Sequence, residues 1–324
     1  MNLRSLRNPD LCHGRLGKNY FEGWYFKLVD AGMNHAFAFI PGVFFNTVPE
    51  NSHAFIQVVD GTGITNRYNR YPVTAFSADR KTFSLSVGGG TFGRRGISFN
   101  PESDTAAVKG EVIFSNHMAW PDSLLNPGSM GFYNYIPKMQ CYSQVCSMDF
   151  DLEGALEIDG KQIDFSGGKG YIEKNWGAAF PYSWVWVQCN HFAGADASFS
   201  CSLGHIPFFT GSFKGFLVGL YVGGTFYEFS TMNRSRAEVA RKENDLALRF
   251  EGRRHTLQIE CETDSEHFIL LNGPRGDKMI PLVRENLQGR IGLELREKSG
   301  KTLFAATGRR AGVEYGGEQM MILD

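Results

Sequence analysis

The chain has 324 residues, 42% hydrophobic and 21% charged, an ordinary globular composition that excludes a disordered chain. Its 33 basic and 34 acidic side chains leave a formal charge of −1, so there is no global attraction to nucleic acid; the densest basic stretch, Arg234 to Arg254, is interleaved with four acidic residues and reads as a solvated hairpin. The N-terminus lacks the apolar core of a signal peptide and no uninterrupted run of 18 apolar residues occurs, so a cytoplasmic protein is expected, with peripheral membrane contact left open.

Period-2 patterns dominate from the start. "NYFEGWYFKLVD" (19–30) ends in an Asp-Ala-Gly turn and "NHAFAFIPGVFF" follows at once, as in a hairpin. "SHAFIQVVDG", "TFSLSVGG", "GISFN" and "AVKGEVIFS" continue the meander. From His117 to Met130 the sequence "HMAWPDSLLNPGSM" breaks the alternation, and its two Pro forbid a long helix. A long loop or lid with one short helix is expected there. Strands resume at "QVCSMDFDLEGALEIDGKQIDFSGG", where Asp159-Gly160 is the strongest hairpin signal in the chain. Nearly everything from residue 170 onward also alternates. The 38 Gly and 27 Phe, with Gly well above the usual share of about 7%, fit Gly-rich turns joining aromatic strands. An all-β protein is therefore predicted. The length suggests two domains, and an echo between "KNYFEGWYFKLVDAGMNHAF" and "EKNWGAAFPYSWVWVQCNHF", half a chain apart, suggests that they are related. The boundary is set at residues 1–165 and 166–324. The six Cys (12, 141, 146, 189, 201 and 261) form no C-x-x-C pair and are expected to be reduced and mostly buried.

Two aromatic motifs carry the chemistry. In an extended "FEGWYFKL", Glu22, Trp24, Phe26 and Leu28 share one face, and Phe21, Tyr25 and Lys27 the other. If the first face is the interior, burial raises the Glu22 pKa and makes a proton donor; the alternative is a salt-bridged or wet Glu at a strand end. In "YIEKNWG", Tyr171, Glu173 and Asn175 alternate with Ile172, Lys174 and Trp176, so Lys174 faces away from Glu173. Gly177 to Pro181 then turn the chain into "SWVWVQCNHF". There Trp184, Trp186, Gln188 and Asn190 share a face that becomes polar along its length, either a cavity wall or a strand end with Gln188 and Asn190 in solvent. No metal motif, P-loop, dinucleotide fingerprint or nucleophile elbow occurs. Cofactor-free chemistry or binding remains.

"YFEGWYFK" (20–27) and "EKNWGAAFPYSWVWVQCNHF" (173–192), with "AGVEYGGE" (311–318), resemble the tocopherol cyclase family, in the form of its bacterial members. The resemblance implies two tandem lipocalin-like β-barrel or sandwich domains, an architecture it shares with carotenoid hydratases. It also implies a hydrophobic prenylated substrate, no cofactor and no metal. The implied reaction closes a chromanol ring by acid-catalysed addition of a phenol oxygen to a prenyl double bond. On that reading Glu173 is the favoured acid and Glu22 the second. Asn175, Gln188 and Asn190 orient the phenol oxygens, Trp24, Trp176, Trp184 and Trp186 stabilise the carbocation or hold the tail, and Tyr171 and Lys174 complete the binding wall. A non-catalytic isoprenoid carrier, or a hydratase or cyclase of another polyene, is the rival reading.

Overall fold

The computed structural model describes residues 3–100, 102, 106–208, 211–242 and 245–317. The fold is all-β, two large curled antiparallel sheets of the lipocalin-like two-domain type. The first sheet has twelve strands: β1 (Tyr20–Val29), β2 (Ala36–Phe45), β3 (His53–Asp60), β4 (Thr65–Tyr71), β5 (Phe76–Ala78), β6 (Ser84–Val87), β7 (Gly90–Gly93), β8 (Gly96–Phe99), β9 (Val108–Met118), β10 (Cys141–Ile158), β11 (Lys161–Asp164) and β12 (Lys169–Gly177). They run in the order β4-β3-β2-β1-β12-β10-β9-β8-β7-β6-β5, with β11 paired to β10. The second has ten: β13 (Ser183–Cys189), β14 (Ala197–Phe208), β15 (Gly211–Val222), β16 (Thr225–Ser230), β17 (Arg236–Lys242), β18 (Asp245–Glu251), β19 (His255–Glu262), β20 (Ile269–Arg275), β21 (Lys278–Glu297) and β22 (Thr302–Gly317).

The first sheet closes on its own aromatic face. Phe39 on β2 and Phe99 on β8 stand five strands apart in the sheet, about 24 Å if it were flat at ~4.8 Å per strand. Their ring centroids are 5.6 Å apart. Trp24, Phe26, Leu28, Phe39, Phe92, Phe114, Phe150 and Ile172 thus share one buried core. Alternation selects its members: β1 sends every second residue from Trp24 inward. The predicted hairpin at Asp159-Gly160 forms, with φ of 53° and 76° at its two turn residues, as a tight primed turn requires. Between β9 and β10, residues 119–130 of the predicted irregular stretch form no helix, and one 3-10 turn, Gly131–Tyr135, follows directly after it. The second unit has its own core of Val185, Val187, Cys189, Phe199, Leu248, Ile259, Leu293 and Val313.

The two compact units divide after Phe180, and Leu271–Pro281 groups with the first. That differs from a division after residue 165, because β12 is inserted between β1 and β10 in the first sheet and cannot leave it. Gln57 ties the returning segment down: its Nε2 donates to Asn272 O (2.9 Å) and its Oε1 accepts from Asn272 N (2.9 Å). The run 173–192 is consequently not a hairpin. β12 pairs in one sheet and β13 in the other, so the second copy of the sequence echo straddles both units and does not mark a repeated domain. All six cysteines are free thiols; Cys12 is half-buried and the others are buried.

Candidate functional site

Strands β1 and β12 lie antiparallel with Trp24 opposite Lys174 and Glu22 opposite Trp176. Glu22 and Lys174 are therefore diagonal neighbours on the inner face. Glu22 Oε1 lies 2.8 Å from Lys174 Nζ, and both side chains are wholly buried. The N-terminal strap supplies the remaining partners. Backbone N–H groups of His13 and Gly14 donate to Glu22 (2.7 and 3.2 Å), and the Cys12 thiol points at it (3.4 Å). Lys174 donates to Pro9 O (3.0 Å), Leu11 O (2.6 Å) and His13 Nδ1 (2.8 Å). Lys174 Nζ also stands 4.8 Å from the Trp24 ring centroid and 4.6 Å from that of Trp176, and Trp176 stacks between His13 and Tyr142.

The titration of this cluster follows from its geometry. Burial pushes the Glu22 carboxyl up, but Lys174 and the His13 contacts outweigh it and hold the group at about 2. Burial, aided by the Lys174 charge, lowers His13 to about 4, so its imidazole is neutral near pH 7. Glu22 is an ionised, fully paired carboxylate. The bland sequence alternative for Glu22, a salt bridge, is the one realised, although in the core and not at a wet strand end. Trp24 and Trp176, expected to face a substrate carbocation or tail, instead flank the protein's own lysine.

Glu173 lies on the other face of the same strand, as alternation predicts. Its Oε2 accepts from Tyr171 OH (2.7 Å), and its Oε1 from Asn175 Nδ2 (3.1 Å) and Ser143 Oγ (3.2 Å). Ser143 arrives from β10, in register with Asn175. Tyr171 is wholly buried and Glu173 is 6% exposed.

In the second unit β13 is buried on both faces. Val185, Val187 and Cys189 enter the core; Trp184 and Trp186 take the opposite face, where they lie against Gly316 and Gly312 of β22. A Cβ at either glycine would stand 1.9 or 2.5 Å from the indole. Trp184 Nε1 donates to Glu314, the residue between those glycines. Gln188 and Asn190 are 0% and 7% exposed, which removes the solvent alternative. Asn190 Oδ1 contacts His191 Nδ1 at 3.0 Å. The sequence-predicted residues thus form three clusters: Glu22, Trp24, Lys174 and Trp176; Tyr171, Glu173 and Asn175; and Trp184, Trp186, Gln188 and Asn190.

The first unit also contains a cavity of ≈ 430 Å³. The strap from Arg7 to Asp10, Arg94, the loop residues Trp120 and Asp122, and Gln144 to Cys146 of β10 line it, and it is open to solvent on one side. Register shifts between Val145 and Phe150 kink β10 there. Neither Glu22 nor Glu173 lines this cavity.

Comparison with known proteins adds the family. Residues 96–317, about two-thirds of the chain, match the family described as tocopherol cyclase-like. The chain belongs to the tocopherol cyclase-like family. "Probable tocopherol cyclase, chloroplastic" of Oryza sativa subsp. japonica is 24% identical over 97% of this chain and 79% of its own length. "Tocopherol cyclase, chloroplastic" of Zea mays is 28% identical over 58% of this chain and 41% of its own. Among solved structures, kievitone hydratase from Nectria haematococca aligns with TM-score 0.51 and 13% identity, covering 99% of this chain and 94% of that one. CghA aligns with TM-score 0.57 and 10% identity, covering 94% and 90%; at such identities the likeness is one of fold.

In this tocopherol cyclase-like chain the family match takes in the whole mid-chain motif and stops short of Glu22 and the strap. Sequence reasoning missed His13, Ser143 and Asp10. Ser143 had a signal, since it alternates in phase with Cys141 and Val145, but its partner is set by cross-strand register. His13 and Asp10 lie in an irregular segment with no periodicity to read.

Proposed function

We propose that the protein is a cofactor-free intramolecular cyclase that closes a chromanol-type ring, adding a phenol oxygen across a prenyl double bond. The observation that carries this reading is family membership over residues 96–317, which include the entire mid-chain motif. The chemistry needs a protonated acid, a dry site and a folded substrate tail that brings the oxygen to the developing cation. Glu22 does not supply the proton, because Lys174 holds it ionised. Glu173, set as an acceptor for Tyr171, Asn175 and Ser143, is assigned to positioning those groups. The Trp24–Lys174–Trp176 stack is assigned to holding the strap in place.

Incubation with a panel of prenylated hydroquinones and polyenes, followed by mass analysis, tests the reading. An isomeric product of unchanged mass supports the cyclase. A product heavier by one water indicates a hydratase, and substrates that bind but return unchanged indicate a carrier and sink the enzyme reading. No helix among the described residues is long and apolar enough to cross a membrane.

A further inference from the structure

Two carboxyls, Asp10 and Asp122, line the cavity, and Asp10 is the less tightly ion-paired of the two. Its side chain is 14% exposed and its Oδ2 forms a long ion pair with Arg94 Nη1 at 3.6 Å, beyond hydrogen-bond distance. Gln144 Nε2 donates to Oδ1 at 2.8 Å, and Gln144 is itself pinned by Ser129 N–H (2.9 Å). Trp24 Nε1 donates to the Asp10 backbone carbonyl (3.2 Å), so the backbone that carries the group is also anchored. Trp120, only 6% exposed, and Val145 and Cys146 provide an apolar wall. Asp122, the other carboxylate of the lining, is paired with Arg7 at 2.6 Å. Burial pushes the Asp10 carboxyl up against the opposing pull of the Gln144 hydrogen bond and the Arg94 and Lys174 charges. The Cys146 thiol beside it is pushed well above its ordinary value by burial and stays neutral. The cavity falls within the roughly 300–1,000 Å³ of ordinary small-molecule sites.

We propose that this cavity takes the reacting end of a prenylated phenol and that Asp10 is the catalytic residue that protonates its alkene. The assignment rests on the cyclase reading. In the step, the Asp10 O–H bond breaks and a C–H bond forms at the less substituted alkene carbon, leaving a tertiary cation that the Trp120 face stabilises. A lone pair of the phenol oxygen forms the C–O bond, and the phenolic proton passes to the Asp10 carboxylate. Substrate and product are isomers and the acid is restored, so no co-reactant is required. Arg94 limits how far the Asp10 pKa rises and so keeps the carboxyl acidic enough to give up its proton.

Two variants, Asp10→Asn and Asp10→Glu, test this against the wild type on whichever prenylated hydroquinone it converts, with equilibrium binding and thermal melting measured alongside. Asp10→Asn should lower turnover by about 10²–10⁴-fold, the usual share of a general acid, with binding and melting retained. Asp10→Glu should recover part of the rate. Wild-type turnover should fall as pH rises through the raised Asp10 pKa. Turnover of Asp10→Asn at the wild-type rate overturns the assignment and leaves the cyclase reading intact. A ¹³C-NMR titration of aspartate-labelled wild type needs no variant to fold. One cavity-dependent carboxyl titrating above the ordinary range supports the proposal, and a set that all titrates at or below it overturns it. A wild type that converts nothing overturns the cyclase reading and the catalytic role with it.

Discussion

On the inner face of the β1–β12 ribbon, Glu22 meets Lys174 between two tryptophans, and a strap from the N-terminus closes over both. On the outer face, one residue along the same strand, Glu173 accepts hydrogen bonds from Tyr171, Asn175 and Ser143, all neutral side chains. Residue types that look alike in the sequence are thus put to different uses. A buried carboxylate against a lysine is an ion pair that fixes structure, and its proton is gone at any physiological pH. Asp10 shares neither arrangement: burial pushes its carboxyl up while a longer ion pair to Arg94, at 3.6 Å, pulls it down.

The largest expected effect breaks the inner face. Lys174→Met leaves Glu22 buried without its counter-charge and should cost about 3–5 kcal/mol of stability by urea denaturation. Replacing both partners as Glu22→Gln/Lys174→Met should cost clearly less. A single variant as stable as the wild type would show that the pair holds nothing.

The same pair makes a pH prediction. Glu22 is at about 2 in the folded protein against an ordinary 4.5, so the unfolded chain binds more protons in that window. Its contribution, about 3 kcal/mol at 1.36 kcal/mol per unit, is complete above pH 4.5 and is lost as pH falls toward 2. His13, lowered from 6.5 to about 4, starts the decline earlier, since the unfolded imidazole protonates first. Denaturation across pH 7 to 3 should show stability falling throughout, and in the Lys174→Met variant the Glu22 part of the slope should vanish.

The outer face responds less. Tyr171→Phe removes the 2.7 Å hydrogen bond to a buried carboxyl and should cost about 1–3 kcal/mol. Ser143→Ala, whose bond is longer at 3.2 Å, should cost about 1 kcal/mol. Both shifts would be read as denaturation midpoints. If Tyr171→Phe cost more than Lys174→Met, the contrast between the faces would be reversed.

Much of this was legible in the sequence. Strict alternation in "FEGWYFKL" and "YIEKNWG" placed Glu22 and Trp24 together and separated Lys174 from Glu173, because a strand's period of two leaves no freedom. Strand pairing was not legible: Lys174 finds Glu22 across 152 positions through a register set by the whole sheet. Trp184 and Trp186 show the same limit. Alternation gave their common face, but only the pairing of β13 with β22 revealed that Gly312 and Gly316 lie beneath the rings. The strap carries no periodicity at all, and its Asp10 gains meaning only once folding has brought Arg94, Trp120 and Gln144 around it.

The most direct test of the central claim is turnover in D₂O. If an exchangeable carboxyl protonates the alkene, the ring-closed product should carry one deuterium on carbon, which survives return to H₂O as a single added mass unit. A ring-closed product without that label, or substrate recovered unchanged, would contradict the account.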